Sequence, residues 1–159
     1  MVSRKLKSTI IVLSLVSVAT VFIVLQLSKF SVDVSLSGWE QDISGYIKVS
    51  RQQAETNKPI ALFFYTDWCS SCKELRENIL ATAEVKSYFE GVHPVKINPE
   101  NGVMENKLAE DFGVVGYPSF YLVQAETGAI EQIRKTYKIT PDEFVQQIRD
   151  AEVKLLASR

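Results

Sequence analysis

Cys69 and Cys72 are the only cysteines among 159 residues, and they stand three positions apart in the stretch YTDWCSSCKELRENIL, residues 65–80. Two thiols at this spacing can cycle between dithiol and disulfide, clamp a metal, or anchor a haem. A structural zinc ion wants four Cys or His ligands. Beyond the pair this chain offers only His93, so a closed shell would need carboxylates or a second chain. Haem attachment requires a histidine directly after the second cysteine, and Lys73 stands there instead. Two inert buried thiols remain the plain alternative to redox chemistry.

The elements around the pair argue against inert thiols. Upstream, KPIALFFYT (58–66) is a short apolar run rich in aromatics and opened by a proline, the pattern of a strand buried on both faces. Downstream, Cys72, Leu75 and Ile79 recur at helical spacing, with Glu74, Arg76, Glu77 and Asn78 on the other side. The cysteines therefore fall where a buried strand turns into a helix. Free backbone N–H groups at a helix start favour an anion, which predicts a thiolate-prone Cys69.

Two landmarks carry a family resemblance. Trp68-Cys69-Ser70-Ser71-Cys72-Lys73 resembles the W-C-x-x-C-K signature of thioredoxins, and KPIALFFYTDWCSSCKEL (58–75) is especially similar to the C-terminal periplasmic domain of the DsbD family of transmembrane disulfide reductases. AEDFGVVGYPSFYLV (109–123) is similar to the family's second landmark, a helix end and loop leading to a cis proline, here Pro118, and then a strand. The resemblance covers about residues 39–152. It implies an α/β thioredoxin-like fold with a mixed sheet flanked by helices. It also implies a redox-active Cys69–Cys72 disulfide in a catalytic dithiol, with Trp68, Tyr117 and Pro118 lining the substrate groove.

The rest of the chain fits that frame. DISGYIKVSRQQAETN (42–57) places Ile43, Ile47, Ser50 and Ala54 on one helical stripe and ends before Pro59, a helix stop. TAEVKSYFEG (82–91) reads as a short helix and VHPVKIN (92–98) as a strand, in which His93 is read as structural. A polar loop at Pro99 to Gly102 leads into a helix ending near Phe112. SFYLVQ and AIEQIRKTY flank the hairpin turn Ala125 to Gly128. Thr140-Pro141-Asp142-Glu143 then supplies a capping hydroxyl, an N1 proline and a glutamate three residues after the cap, opening a helix that buries Phe144, Ile148, Ala151 and Leu155.

Ahead of this domain, Ile10 to Leu27 carries no charge, and Arg4, Lys5 and Lys7 precede it. At about 1.5 Å per residue it spans roughly a bilayer core, and the positive-inside bias keeps the N-terminus cytoplasmic. The expected organisation is a basic N-terminus at 1–9, a transmembrane anchor in the lipid bilayer at 10–27, a tether at 28–38 and the thioredoxin-like domain at 39–159. A signal peptide cut after Ser17-Val18-Ala19 is the competing reading, but it would leave the apolar TVFIVLQL at the new end. With the resemblance, the location is the bacterial inner membrane, single-pass, with the domain facing the periplasm. Setting aside Arg4, Lys5, Lys7 and Lys29 leaves fourteen basic against nineteen acidic residues, about five negative charges, which argues against nucleic acid as a partner. No cofactor is implied.

The expected function is thiol:disulfide exchange on protein partners through transient mixed disulfides. Cys69 attacks, Cys72 resolves, and an upstream membrane or thiol donor supplies electrons. The resemblance favours a reductant. An oxidant or isomerase would use the same residues, and a metal-delivery or assembly module would dispense with the thiols. One departure stands out. The family usually buries an acid six positions before the first cysteine, where this chain has Phe63. Asp67, in the loop before Cys69, is the nearest carboxylate in sequence and the candidate proton acceptor; its plain alternative is a solvated loop aspartate.

Overall fold

The computed structural model describes residues 13–14, 16–22 and 36–157. Its contacts divide the chain into two units, Met1–Val34 and Ser35–Arg159. In the first, residues 16–22 are helical, with Val16, Val18, Val21 and Phe22 exposed. Half of the expected anchor at 10–27 lies outside the described residues. Among those described, no helix is long and apolar enough to cross a membrane.

The second unit is built on a five-stranded sheet ordered β1-β3-β2-β4-β5. Its strands are β1 (Glu40–Gln41), β2 (Ile60–Phe64), β3 (His93–Ile97), β4 (Ser119–Val123) and β5 (Ile130–Ile133). The first three run parallel, β4 is antiparallel to β2, and β5 closes a hairpin on β4. The helices are α1 (Asp42–Thr56), α2 (Ser70–Leu75), α3 (Ala83–Phe89), α4 (Val103–Asp111) and α5 (Pro141–Ala157). The expected thioredoxin-like α/β order is observed, with the two-residue β1 added at the edge.

Strand β2 is central and all five of its residues are buried. Alternation sends Ala61 and Phe63 to a core shared with α2, α3 and α5, while Ile60, Leu62 and Phe64 meet Val49 of α1 and Ala109 of α4 on the other face. His93 sits at the start of β3 with its Nε2 2.7 Å from Thr56 Oγ1, and burial together with Lys58 lowers its pKa. The capping box forms as expected: Glu143 N–H donates to Thr140 Oγ1 and Thr140 N–H donates to Glu143 Oε2. Phe144, Ile148, Ala151 and Leu155 are all buried.

Helix α2 passes into a π-helical turn, Arg76–Leu80, whose wider turn accommodates the consecutive Ile79 and Leu80 both facing inward. The expected stripe of Cys72, Leu75 and Ile79 is buried and gains Leu80.

Two expectations are corrected. Helix α1 buries Gly45 and Val49, whereas Ile47 and Ala54 are exposed. The reason is close approach, since a Cβ on Gly45 would lie 2.9 Å from Glu40 Cβ and 3.0 Å from the Glu40 carbonyl carbon. A hydrophobic stripe cannot register a face whose key residue has no side chain. The tether also ends earlier than expected, because Leu36 is buried in the α2 side of the core.

The α1 contact predicts a result that helix propensity alone does not. Gly45→Ala should gain up to about 1 kcal/mol of propensity yet lose stability overall by about 1–3 kcal/mol through overpacking against Glu40. Ile47→Gln should stay within about 0.5 kcal/mol. Urea midpoints at constant slope check both, and a stabilised Gly45→Ala would contradict the packing.

Candidate active site

The buried strand β2 continues through Tyr65 and Thr66, tied to β3 by Tyr65 N–H donating to the Ile97 carbonyl at 3.0 Å. Asp67 and Trp68 then turn outward, and Cys69 N–H donates back to the Thr66 carbonyl at 3.2 Å. This turn makes Cys69 the N-cap of α2. Its extended backbone lets Sγ accept the Cys72 N–H at 3.1 Å, so a sulfur takes one of the donors that a helix start leaves without a partner. Cys69 and Cys72 form a disulfide with Cα atoms 5.2 Å apart. Cys69 is 8% exposed and Cys72 1%.

The predicted neighbours Trp68 and Tyr117 meet each other, and Pro118 follows Tyr117. The Tyr117–Pro118 peptide is cis, and the Pro118 carbonyl accepts from Thr136 Oγ1 at 3.4 Å, linking the loop after β5 to the start of β4. Trp68 stands 70% exposed, edge-on to Tyr117 with ring centroids 6.2 Å apart. Burial, then the negative charge of Glu100, raise the Tyr117 phenol above its usual pKa. A small groove of about 50 Å³ is lined by Ser71 and Glu74 of α2 and by Thr136, Tyr137 and Lys138.

Phe63 occupies the position of the missing acid as a fully buried ring. It stacks between Tyr65 at 5.5 Å and Phe120 at 6.2 Å, with Trp39 edge-on at 6.4 Å. Cys72 belongs to the same apolar cluster. Asp67 is exposed and, among the described residues, makes no hydrogen bond to either cysteine.

Sequence reading missed Glu100. Its Oε1 accepts the Trp68 indole N–H at 2.9 Å across 32 positions of chain. The only local signal was the polar loop after β3, which names no partner. Among the described residues, no group of three or more His, Cys, Asp or Glu is placed to hold a metal ion.

A model of the thioredoxin-like domain matches residues 48–152. The chain belongs to the thioredoxin-like family. Its relatives include the disulfide bond reductase DsbH of Chlamydia pneumoniae, 32% identical over 99 residues covering 55% of this chain and 57% of that protein. The chloroplast thioredoxin-like protein HCF164 of Arabidopsis thaliana is 30% identical over 112 residues, covering 69% of this chain and 41% of that one. Among solved structures, the oxidised C-terminal domain of DsbD from Neisseria meningitidis superposes with a TM-score of 0.59 at 24% identity, over 70% of this chain and 98% of the domain, a likeness of fold. The chain spans between about a third and just over half of the length of the curated relatives it matches first. Disulfide-bonded Cys69 and Cys72 stand as the C-x-x-C pair of this thioredoxin-like member.

Proposed function

We propose that this chain is a membrane-anchored thiol:disulfide oxidoreductase that reduces disulfides of proteins outside the cytoplasm. The observation that carries the exchange chemistry is the disulfide of Cys69 and Cys72 at the N-cap of α2. The same α2 start gives the two sulfurs different surroundings. Cys69 Sγ receives a backbone N–H and retains some exposure, while Cys72 is sealed in the apolar core.

In the reduced state the Cys69 thiolate attacks one sulfur of a substrate disulfide. A Cys69–substrate mixed disulfide forms and the first substrate thiolate leaves, taking a proton from solvent. Cys72 then loses its proton and attacks Cys69 Sγ. The intramolecular disulfide forms, the mixed disulfide breaks, and the second substrate thiolate departs. Two electrons pass from the dithiol to the substrate. An upstream membrane or thiol donor returns them, since turnover requires the Cys69–Cys72 disulfide to be reduced again. The cis Pro118 and Tyr117 offer backbone for an extended substrate segment beside Cys69.

Reduction as the direction is supported by the likeness to DsbH, whose name is disulfide bond reductase. Anchoring in the inner membrane with the domain in the periplasm is supported by the uncharged Ile10 to Leu27 and the basic residues before it. For proton removal from Cys72 we assign Asp67, acting through a water once substrate covers the site, since Phe63 supplies no carboxylate.

Trapping tests the roles of the two cysteines. Cys72→Ala should accumulate proteins disulfide-linked to Cys69 and released by reductant, whereas Cys69→Ala should hold far fewer; equal capture by the two variants would overturn the assignment. The proton acceptor has its own test. Asp67→Asn should slow resolution of the mixed disulfide at pH 7 by about ten- to a hundredfold, the lower range of general-base effects. Phe63→Asp in that background should restore part of the rate at a cost in stability. Stopped-flow rates decide, and an unchanged rate in Asp67→Asn leaves solvent as the base.

A further inference from the structure

Glu100 holds a carboxylate against Trp68, the residue directly before Cys69, and sulfur exchange itself has no use for it. The backbone that carries this carboxylate is itself fastened. Glu100 belongs to a short 3-10 turn, Pro99–Asn101, in which Pro99 is buried and Asn98 Oδ1 accepts the Glu100 N–H at 3.0 Å. Asp42 at the start of α1 fastens the turn on either side, accepting from Asn98 N–H at 3.3 Å and from Asn101 Nδ2 at 2.9 Å. The charge is thus fixed before any partner arrives, so little side-chain freedom is lost when it meets a cation.

The charges around the site are lopsided. Trp68 is flanked in sequence by exposed Asp67 and bonded to exposed Glu100, and no Lys or Arg pairs with either carboxylate among the described residues. Along α2, Lys73 lies 4.0 Å from Glu77, and Lys138 shares the small groove with Glu74. Those charges offset one another, whereas the Trp68 side keeps two carboxylates without a cation. The field of Glu100 also reaches Tyr117, the residue before the cis proline.

We propose that Glu100, seconded by Asp67, makes the Trp68 side of the site select extended polypeptide segments that carry Lys or Arg within a few residues of the reactive cysteine. The inference rests on the exchange chemistry proposed above and adds the chemical class of its substrate. Selection works by attraction and by repulsion. A basic residue beside the substrate disulfide gains from the two carboxylates, and an acidic one loses. Both effects act through partly exposed groups and are screened by salt within about 8 Å at physiological ionic strength.

The test uses two blocked peptides, each supplied as its symmetric disulfide, alike except for a Lys or a Glu two residues from the cysteine. The reduced full-length chain is mixed with each, and single-turnover rates are compared. The Lys peptide should react about tenfold faster at low salt, and the ratio should fall towards one at about 0.5 M salt. Glu100→Gln retains an amide oxygen to accept the Trp68 indole N–H but removes the charge, so the ratio should drop severalfold; Glu100→Lys should invert it. Equal rates for the two peptides in the unaltered chain, or a ratio that neither substitution nor salt changes, would overturn the selection and leave dithiol exchange standing. Failure to reduce either peptide would instead overturn the exchange reading on which the selection rests.

Discussion

The contact on which the site depends is the hydrogen bond from Cys72 N–H to Cys69 Sγ. It exists because the chain leaves a fully buried strand and must begin a helix within a few residues, and because Cys69 lands on the N-cap. Strand β2 cannot slide without moving Phe63 and Ala61 out of one core and Leu62 and Phe64 out of the other. Its register against β3 and β4 therefore sets where the helix starts, and with it which cysteine is capped and which is sealed. The cis peptide before Pro118 is placed by the same register, since β4 pairs with β2 from Ser119 onward.

Much of this was legible from spacing. The apolar, aromatic-rich run opened by Pro59 and the segments flanking the Ala125 to Gly128 turn marked strands, and Thr140 with Glu143 marked the start of α5. The stretch around Trp68-Cys69-Ser70-Ser71-Cys72 marked the strand-to-helix turn. What escaped was tertiary. The packing face of α1 turns on Gly45, where contact is made by absence of a side chain. Leu36 is one of four apolar residues scattered through 28–38, and nothing in that pattern singles it out for burial. The partnership of Trp68 with Glu100 joins residues from separate turns, and no linear pattern announces it.

Phe63 shows how the family's scaffold tolerates a change of chemistry. An acid buried beneath a dithiol stays charged only at a desolvation cost, which this chain avoids by filling the space with stacked aromatics. Asp67 and Glu100, the carboxylates beside Trp68, are at the surface, open to water and to an incoming partner.

Direction of electron flow is the centre of the account, and the equilibrium of the full-length chain with glutathione measures it most directly. A reductant should hold Cys69 and Cys72 as the disulfide until the buffer is strongly reducing, with a potential towards the thioredoxin end of the range, roughly −270 mV. A pair that stays reduced in mildly oxidising glutathione, with a potential near the oxidant end at about −120 mV, would contradict it.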